Sequence, residues 1–242
     1  MMIREFCSNF TKIKRTPILL LHLLLPIAIT TLFLIYYAFA GYHIISDVRL
    51  FFVILQIGYP IFVGIVVPIL IQLDRNINNI QNALGLVESR RSVYLGKLFF
   101  LLFLSSISII IYELCFFIGV NLFLDISVMH FDSYLDLFYI FLFSSLFLYL
   151  LHIPIAFRFG SSISVLLGIS GAIFAGFFEN AIGDEIWPII PWEWGVRFLK
   201  NTFGFSSAPI FWGIISLIMM TSMILVLSIL WFSRWEGKVI QE

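Results

Sequence analysis

Glu113 is the only acidic residue deep within a long apolar run of this sequence. A carboxylate in hydrocarbon is costly unless it is paired, protonated or facing water, so Glu113 is a candidate for a substrate or proton pathway. The alternative is a neutral carboxyl group that hydrogen-bonds a neighbouring helix, supported by Tyr112 or Asn121. A single carboxylate without an evident partner does not define a proton path.

Two histidines, His22 and His152, also lie within apolar runs. Their spacing is not that of a zinc-binding helix, and hydrogen bonding between helices explains them better than metal binding. The sequence contains neither the phosphate loop of ATPases nor the Gly-x-Ser-x-Gly elbow of serine hydrolases. We therefore expect no catalytic site, no cofactor and no metal, and any ATP must be hydrolysed by another protein.

The composition is that of an integral membrane protein. Of its 242 residues, 61% are hydrophobic and 12% are charged, and the mean hydropathy is +1.06. Soluble domains have about 25% charged residues. The net charge of zero gives no case for nucleic-acid binding. Cys7 and Cys115 are placed so that a disulfide between them is not expected.

Six apolar runs are long enough to cross a bilayer as helices, which takes about 20 residues for about 30 Å of hydrocarbon. They cover approximately residues 17–39, 50–73, 98–124, 135–157, 163–178 and 209–232. The sequence thus predicts one all-α transmembrane domain over residues 1–242.

The lysines and arginines predict the orientation of these spans. With both termini inside, eleven of the 14 Lys and Arg residues fall on the cytoplasmic side, as the positive-inside rule requires. The outer loops then hold only Arg49, Arg197 and Lys200, together with most of the acidic residues. We expect an N-in, C-in, multi-pass topology.

A polar segment, residues 74–97, separates the second and third apolar runs. Its apolar residues recur at steps of three, four and three: Ile77, Ile80, Leu84 and Val87. This spacing predicts an amphipathic helix. On a basic cytoplasmic loop that also carries Arg90 and Arg91, such a helix is a candidate docking site for a partner. A helix lying passively on lipid, or a solvated loop, is the alternative.

The N-terminal residues Ile3, Phe6, Phe10 and Ile13 have the same spacing and alternate with basic residues. The pattern predicts an interfacial helix on the inner leaflet before the first span. The alternative is a basic flank that only fixes the topology.

Small residues recur every four positions in the fifth apolar run, at Gly168, Ala172 and Gly176. Such a ridge lets helices approach closely. It predicts a packing face, either inside the subunit or against a second subunit.

The outer segment before the sixth span contains Trp187, Trp192 and Trp194 together with two prolines. Tryptophan prefers the headgroup interface. We expect a short re-entrant or interfacial element here. It is a candidate contact for an amphipathic substrate, and a membrane-interface anchor is the favoured alternative.

Three segments carry a resemblance to a known family. They read Lys12-Ile-Lys-Arg-Thr-Pro-Ile-Leu-Leu-Leu-His-Leu-Leu-Leu-Pro26, Gln81-Asn-Ala-Leu-Gly85 and Ser89-Arg-Arg-Ser-Val-Tyr-Leu-Gly-Lys97. In this order, with six spans and an outer loop rich in Trp and Pro, the chain resembles the permease subunits of lantibiotic immunity ABC transporters. These belong to the ABC-2 type, and the G-type subunit is more similar than the E-type.

The resemblance implies an exporter built from two permease subunits and two copies of a separate ABC ATPase. The second permease would be an E-type subunit or another copy of this chain. A coupling helix within residues 74–97 would seat in the ATPase, and short outer helices would fall within residues 179–208. The implied substrate is a lantibiotic peptide, expelled from the bacterial plasma membrane to give the producer self-immunity, a form of antibiotic resistance.

Three alternatives remain open. An ABC-2 permease could carry another peptide antibiotic, a lipid or a polysaccharide. A secondary transporter would use Glu113 as a proton carrier. An intramembrane peptidase would need a Glu-Glu-x-x-x-Arg motif, which is unmatched because Glu88 stands alone before Ser89 and Arg90.

Overall fold

The structure is a computed structural model that describes residues 2–14, 16–40, 47–77, 89–124, 129–207 and 209–235. These residues form seven α-helices and no β-strand. The helices are α1 (Met2–Ile13), α2 (Pro17–Ala40), α3 (Leu50–Ile77), α4 (Arg90–Ile118), α5 (Phe131–Phe178), α6 (Trp194–Thr202) and α7 (Phe211–Arg234). A π-helical turn, Gly119–Phe123, extends α4.

Five of the helices in the described ranges are long and apolar enough to cross a membrane: α2, α3, α4, α5 and α7. Backbone groups in hydrocarbon must be paired within the protein, and a long apolar run achieves this as a helix. The all-α, multi-pass character predicted from composition is therefore present. The boundaries differ in places, since α4 begins at Arg90 rather than at residue 98.

The fourth and fifth predicted spans lie within α5, which reverses direction at Gly160. A continuous helix of its 48 residues would be about 72 Å long, more than twice the hydrocarbon thickness. Gly160 instead has φ 88° and ψ −170°, a conformation that essentially only glycine adopts. His152 Nδ1 and Ser164 Oγ, twelve positions apart, are joined by a 2.9 Å hydrogen bond. Residues 131–159 and 161–178 therefore form two antiparallel arms.

Helix α3 packs against both arms of α5. Gln56 Nε2 donates to Ser144 Oγ on the first arm at 3.0 Å. On the second arm, a Cβ atom added to Gly168 would lie 2.5 Å from the carbonyl oxygen of Pro60. Because this contact leaves no room for a side chain, α3 and the second arm touch through their backbones. Helices α2 and α7 lie further out, with 22% and 17% of their apolar windows buried.

Three of the four prolines inside α2, α3 and α5 are matched by hydroxyl groups on other segments. A proline has no N–H, so the carbonyl four residues earlier loses its helical donor. In three cases a serine of a packed neighbour donates to that carbonyl. Ser108 donates to the carbonyl oxygen of His22, four residues before Pro26, at 2.8 Å. Ser164 donates to that of Gly64, four residues before Pro68, at 3.1 Å. Ser228 donates to that of Leu150, four residues before Pro154, at 3.4 Å.

The two ends of the helix bundle differ in charge. At one end, which we call the basic end, α1, the start of α4, the turn at Gly160 and the end of α7 meet. Its described basic residues are Arg4, Lys12, Lys14, Arg90, Arg91, Lys97, Arg158 and Arg234. The opposite, acidic end holds Arg49, Arg197 and Lys200 among Asp47, Asp132, Asp136, Glu179, Asp184, Glu185 and Glu193. This segregation is the pattern on which the predicted orientation rests.

Candidate functional site

Helix α1 is docked on α4 at the basic end. The Phe10 ring meets the rings of Phe100 and Phe103 edge-on, with centroid distances of 4.9 and 5.7 Å. Such pairs add to the free energy gained by burial. Gly96 permits the close approach, because a Cβ there would lie 2.8 Å from Glu5 Cβ. The helix predicted from the N-terminal spacing is present and is held by the bundle.

The predicted coupling segment lies mostly outside the described residues. Ile80, Leu84 and Val87 fall in the undescribed range 78–88, and of Ile77 only the backbone, at the end of α3, is described. The amphipathic helix therefore stays a prediction.

The start of α4, which belongs to the polar segment, is tied to the end of α7. Arg90 and Arg91 begin α4, and Arg90 Nη1 donates to the carbonyl oxygen of Trp235 at 2.7 Å. Trp235 caps α7, so this bond joins the start of α4 to the end of α7. Arg91 is exposed. The polar segment thus leaves and re-enters the bundle at the basic end.

At the acidic end, Arg197 of α6 holds the outer segment together. Its side chain is only 3% exposed. The guanidinium donates to Glu193 Oε2 at 3.0 Å, Asp184 Oδ1 at 2.5 Å, Phe178 O at 2.5 Å and Asn180 O at 2.8 Å. A planar fork of donors suits such a convergence of oxygens. From the charge pattern of the sequence, Arg197 is only a charge of an outer loop, although Glu193 and Arg197 have the i, i+4 spacing of a helical ion pair.

Two of the three outer tryptophans lie in the protein interior. Trp187 is 2% exposed and Trp194 is fully buried. Trp194 Nε1 donates to Pro188 O at 2.8 Å, and Trp187 lies so close to α7 that Gly213 has no room for a Cβ. An interface anchor or a substrate contact requires an accessible indole, so both side chains instead fasten the outer segment to the bundle.

Trp192 differs from the other two because it stays partly exposed. Its ring stacks on Phe174 with a centroid distance of 5.8 Å and covers Gly171 on the second arm of α5. Of the three outer tryptophans, it is the one whose ring remains accessible to lipid or to a ligand.

Glu193 gives the outer segment a pH-dependent stability. Burial raises the pKa of its carboxyl group to about 7, against the lowering effect of Arg197. Because this pKa is higher in the folded than in the unfolded chain, the stabilisation is full below the ordinary pKa of 4.5 and is lost as pH rises through about 7. The unfolding free energy of Glu193→Gln, minus that of the unchanged protein, should therefore increase as the pH is raised from about 5 to about 8. Thermal unfolding of both proteins in detergent measures this difference.

Glu185→Gln, which changes an exposed carboxylate of the same segment, is the matched control. It should show no such gain. The same pH response in both variants would contradict the role given to Glu193.

Glu113 lies half-buried on α4, in a groove of about 440 Å³ between α4 and the start of α5. Its Oε1 accepts no hydrogen bond. Tyr112 points instead toward Phe51 on α3, and Asn121 Nδ2 donates to Phe117 O at 2.8 Å. Neither partner suggested by the sequence therefore serves the carboxyl group.

The two histidines are hydrogen-bonded inside the bundle. His22 Nδ1 bonds Ile18 O at 2.8 Å, and His152 Nδ1 bonds Ser164 Oγ at 2.9 Å. Within the ranges the structure describes, no three His, Cys, Asp or Glu side chains meet in a group that could hold a metal ion.

The small-residue ridge of the second α5 arm packs inside this chain. Gly168 and Ala172 are buried, and Gly168 contacts the backbone of Pro60. Gly176 is exposed at the edge of the contact, where an added Cβ would lie 3.6 Å from Ile57 Cγ2. The sequence is compatible with packing inside the subunit or against a second subunit. The contacts of Gly168 and Gly176 are with α3 of the same chain.

No protein-family model matches this sequence, and no curated protein matches it either. The arrangement at the two ends of the bundle is therefore the basis for a functional assignment.

Proposed function

We propose that this chain is the non-catalytic permease subunit of an ABC exporter that expels a lantibiotic peptide from the bacterial plasma membrane and protects the producing cell. The observation that carries the proposal is the convergence at the basic end. There, α1 is docked on α4, the polar segment leaves α3 and enters α4, and Arg90 bonds the end of α7. A protein that moved the polar segment would act on α4 and α7 together.

Six spans result when the two arms of α5 are counted separately. At 1.5 Å per residue, the arms 131–159 and 161–178 are about 43 and about 27 Å long, which fits a bilayer with some tilt of the first arm. Placing the basic end in the cytoplasm agrees with the positive-inside rule. Both termini are then inside, and the Arg197 cluster faces out.

Two features suggest the partners: the sequence has no phosphate loop, and α2 and α7 have exposed apolar faces. Without a phosphate loop, ATP hydrolysis falls to a separate ATPase, two copies of which would dock on the polar segments of two permease chains. The second permease is an E-type subunit or another copy of this chain. The apolar faces of α2 and α7 include residues such as Leu32 and Met219, both 66% exposed, and are open to lipid and to that second permease.

The coupling role is tested by placing aspartates at Ile80, Leu84 and Val87 together in cells that carry the complete transporter. The helical period puts all three on one face, so their charge should prevent docking in the ATPase. We expect the cells to lose lantibiotic resistance while the amount of this chain in the membrane stays normal. Growth inhibition by the peptide and immunodetection in membranes are the two measurements.

Asn82→Asp is the matched control, because the same period places Asn82 on the opposite face. It should retain resistance. Full resistance in the triple variant would refute the coupling role, whereas a transporter that never confers lantibiotic resistance would favour the ABC-2 permease for another cargo.

A further inference from the structure

The groove that contains Glu113 is walled by apolar and aromatic side chains. They are Ile110, Leu114 and Phe117 of α4, Met129, and Phe131 and Tyr134 of α5. The Phe117 and Tyr134 rings meet edge-on at 5.9 Å. With about 440 Å³ of space, the groove has the size of a small-ligand site. Among the described residues that line it, Glu113 is the one with a carboxylate.

The groove opens away from the bundle. Leu114 and Phe117 are 53% and 49% exposed. On the other side of α4, Phe116 is fully buried and stacks on Phe51 of α3 at 5.5 Å. Glu113 is therefore reached from the surrounding hydrocarbon rather than from a channel between the helices.

The basic residues of the acidic end are bound to other carboxylates. Arg49 Nη2 lies 2.6 Å from Asp47 Oδ2, and Lys200 Nζ lies 2.7 Å from Glu179 Oε1. Arg197 is held by the cluster described above. Arg49, Arg197 and Lys200 therefore do not supply a counter-ion to Glu113.

Two exposed carboxylates near the start of α5 lie outside the groove lining. Asp132 and Asp136 are exposed on the first two turns of α5, the turns that carry Phe131 and Tyr134. A carboxylate among aromatic rings attracts an ammonium group by ion pairing and by cation–π contact. The apolar walls suit the hydrocarbon chain attached to that group.

We propose that this groove binds the primary ammonium group of an amphipathic cation that enters sideways from the outer leaflet, with Glu113 as counter-ion. Placing the groove at the outer leaflet, and taking the cation to be a lysine of the exported peptide, rests on the proposed function. Binding of an ammonium group follows from the groove alone. The site thus distinguishes a positively charged amphipath from a neutral one of equal length.

A pair of photo-crosslinking probes tests this in the full chain, reconstituted into phosphatidylcholine nanodiscs. One probe is a twelve-carbon primary amine that carries a diazirine, and the other is the alcohol of equal length. We expect the amine to label residues 110–117 and 129–134, as mapped by mass spectrometry. In Glu113→Gln, amine affinity from competition with unlabelled dodecylammonium should fall about tenfold, and alcohol affinity should change less than about twofold.

Two further variants keep the test decisive. Asp136→Asn, which alters an exposed carboxylate outside the groove lining, should change amine affinity less than about twofold. Ile110→Trp fills the groove and should lower the labelling by both probes.

The proposal is overturned if Glu113→Gln binds the amine as tightly as the unchanged chain does, or if the amine labels other helices. It is also overturned if the groove is labelled only after a dimer of this chain is dissociated, because a second copy then occupies it. The assay uses neither the ATPase nor transport. A negative result leaves the coupling proposal intact, and loss of the coupling role leaves this binding site measurable.

Discussion

Replacing Arg197 with methionine is expected to destabilise the protein by about 3 to 5 kcal/mol, because it removes one partner of a buried ion pair and leaves the other without its counter-ion. Glu193 would stay fully buried beside an apolar side chain, and the carbonyl groups of Phe178 and Asn180 would lose a donor. Thermal unfolding in detergent measures the loss of stability. Protease cleavage within residues 179–208 would show where the structure opens.

Lys200→Met provides the comparison, because Lys200 pairs with a Glu179 side chain that is 33% exposed. Partly exposed ion pairs contribute about 1 kcal/mol or less. Adding Glu193→Gln to Arg197→Met should recover part of the loss, since the uncompensated charge is removed. Equal destabilisation by Lys200→Met and Arg197→Met would show that burial of Arg197 is not what makes it important.

Replacing Gly168 with leucine is expected to cost about 3 kcal/mol through overpacking. A Cβ at this position lies 2.5 Å from Pro60 O and 3.2 Å from Ile61 Cα, so α3 and the second α5 arm must separate. Backbone cannot yield as a flexible side chain does. The separation would also strain the bond from Ser164 to Gly64 O, one turn away. The midpoint of thermal unfolding measures the effect.

Gly176→Leu is the matched control on the same ridge. Its Cβ meets only Ile57 Cγ2, at 3.6 Å, and the position is exposed. Leucine there should be neutral or should stabilise the helix by up to about 1 kcal/mol, because leucine has a higher helix propensity than glycine. If both substitutions were equally tolerated, the close backbone contact at Gly168 would not exist in the membrane.

The main elements of the fold could be predicted because they depend on local sequence. A long apolar run must pair its backbone groups internally, so hydropathy alone indicates the helices α2 to α5 and α7. The N-terminal helix follows in the same way from the spacing of Phe6, Phe10 and Ile13. The sequence predicts the break within α5 as a gap between two spans, and in the structure it lies at Gly160, which has a positive φ.

Partners across the bundle could not be predicted, because they depend on how distant segments are oriented. A proline in a helix predicts a free carbonyl four residues earlier, yet nothing local indicates that Ser108 serves His22 or that Ser228 serves Leu150. The Trp-rich segment has the composition of an interface anchor. Burial of Trp187 and Trp194 becomes visible only once the segment folds back onto α5 and α7.

Helix α3 packs between two arms of α5 that come much later in the chain, so α3 is synthesised well before its packing partners. Gln56 lies 88 residues before Ser144, and Gly64 lies 100 residues before Ser164. At about 5 to 20 residues per second of synthesis, the second partner emerges roughly 5 to 20 s after the first. Throughout that interval, the amide of Gln56 and the free carbonyl of Gly64 must be satisfied by water, lipid headgroups or the insertion machinery. The newly inserted α3 is therefore exposed to mispairing or degradation while the ribosome is still translating the rest.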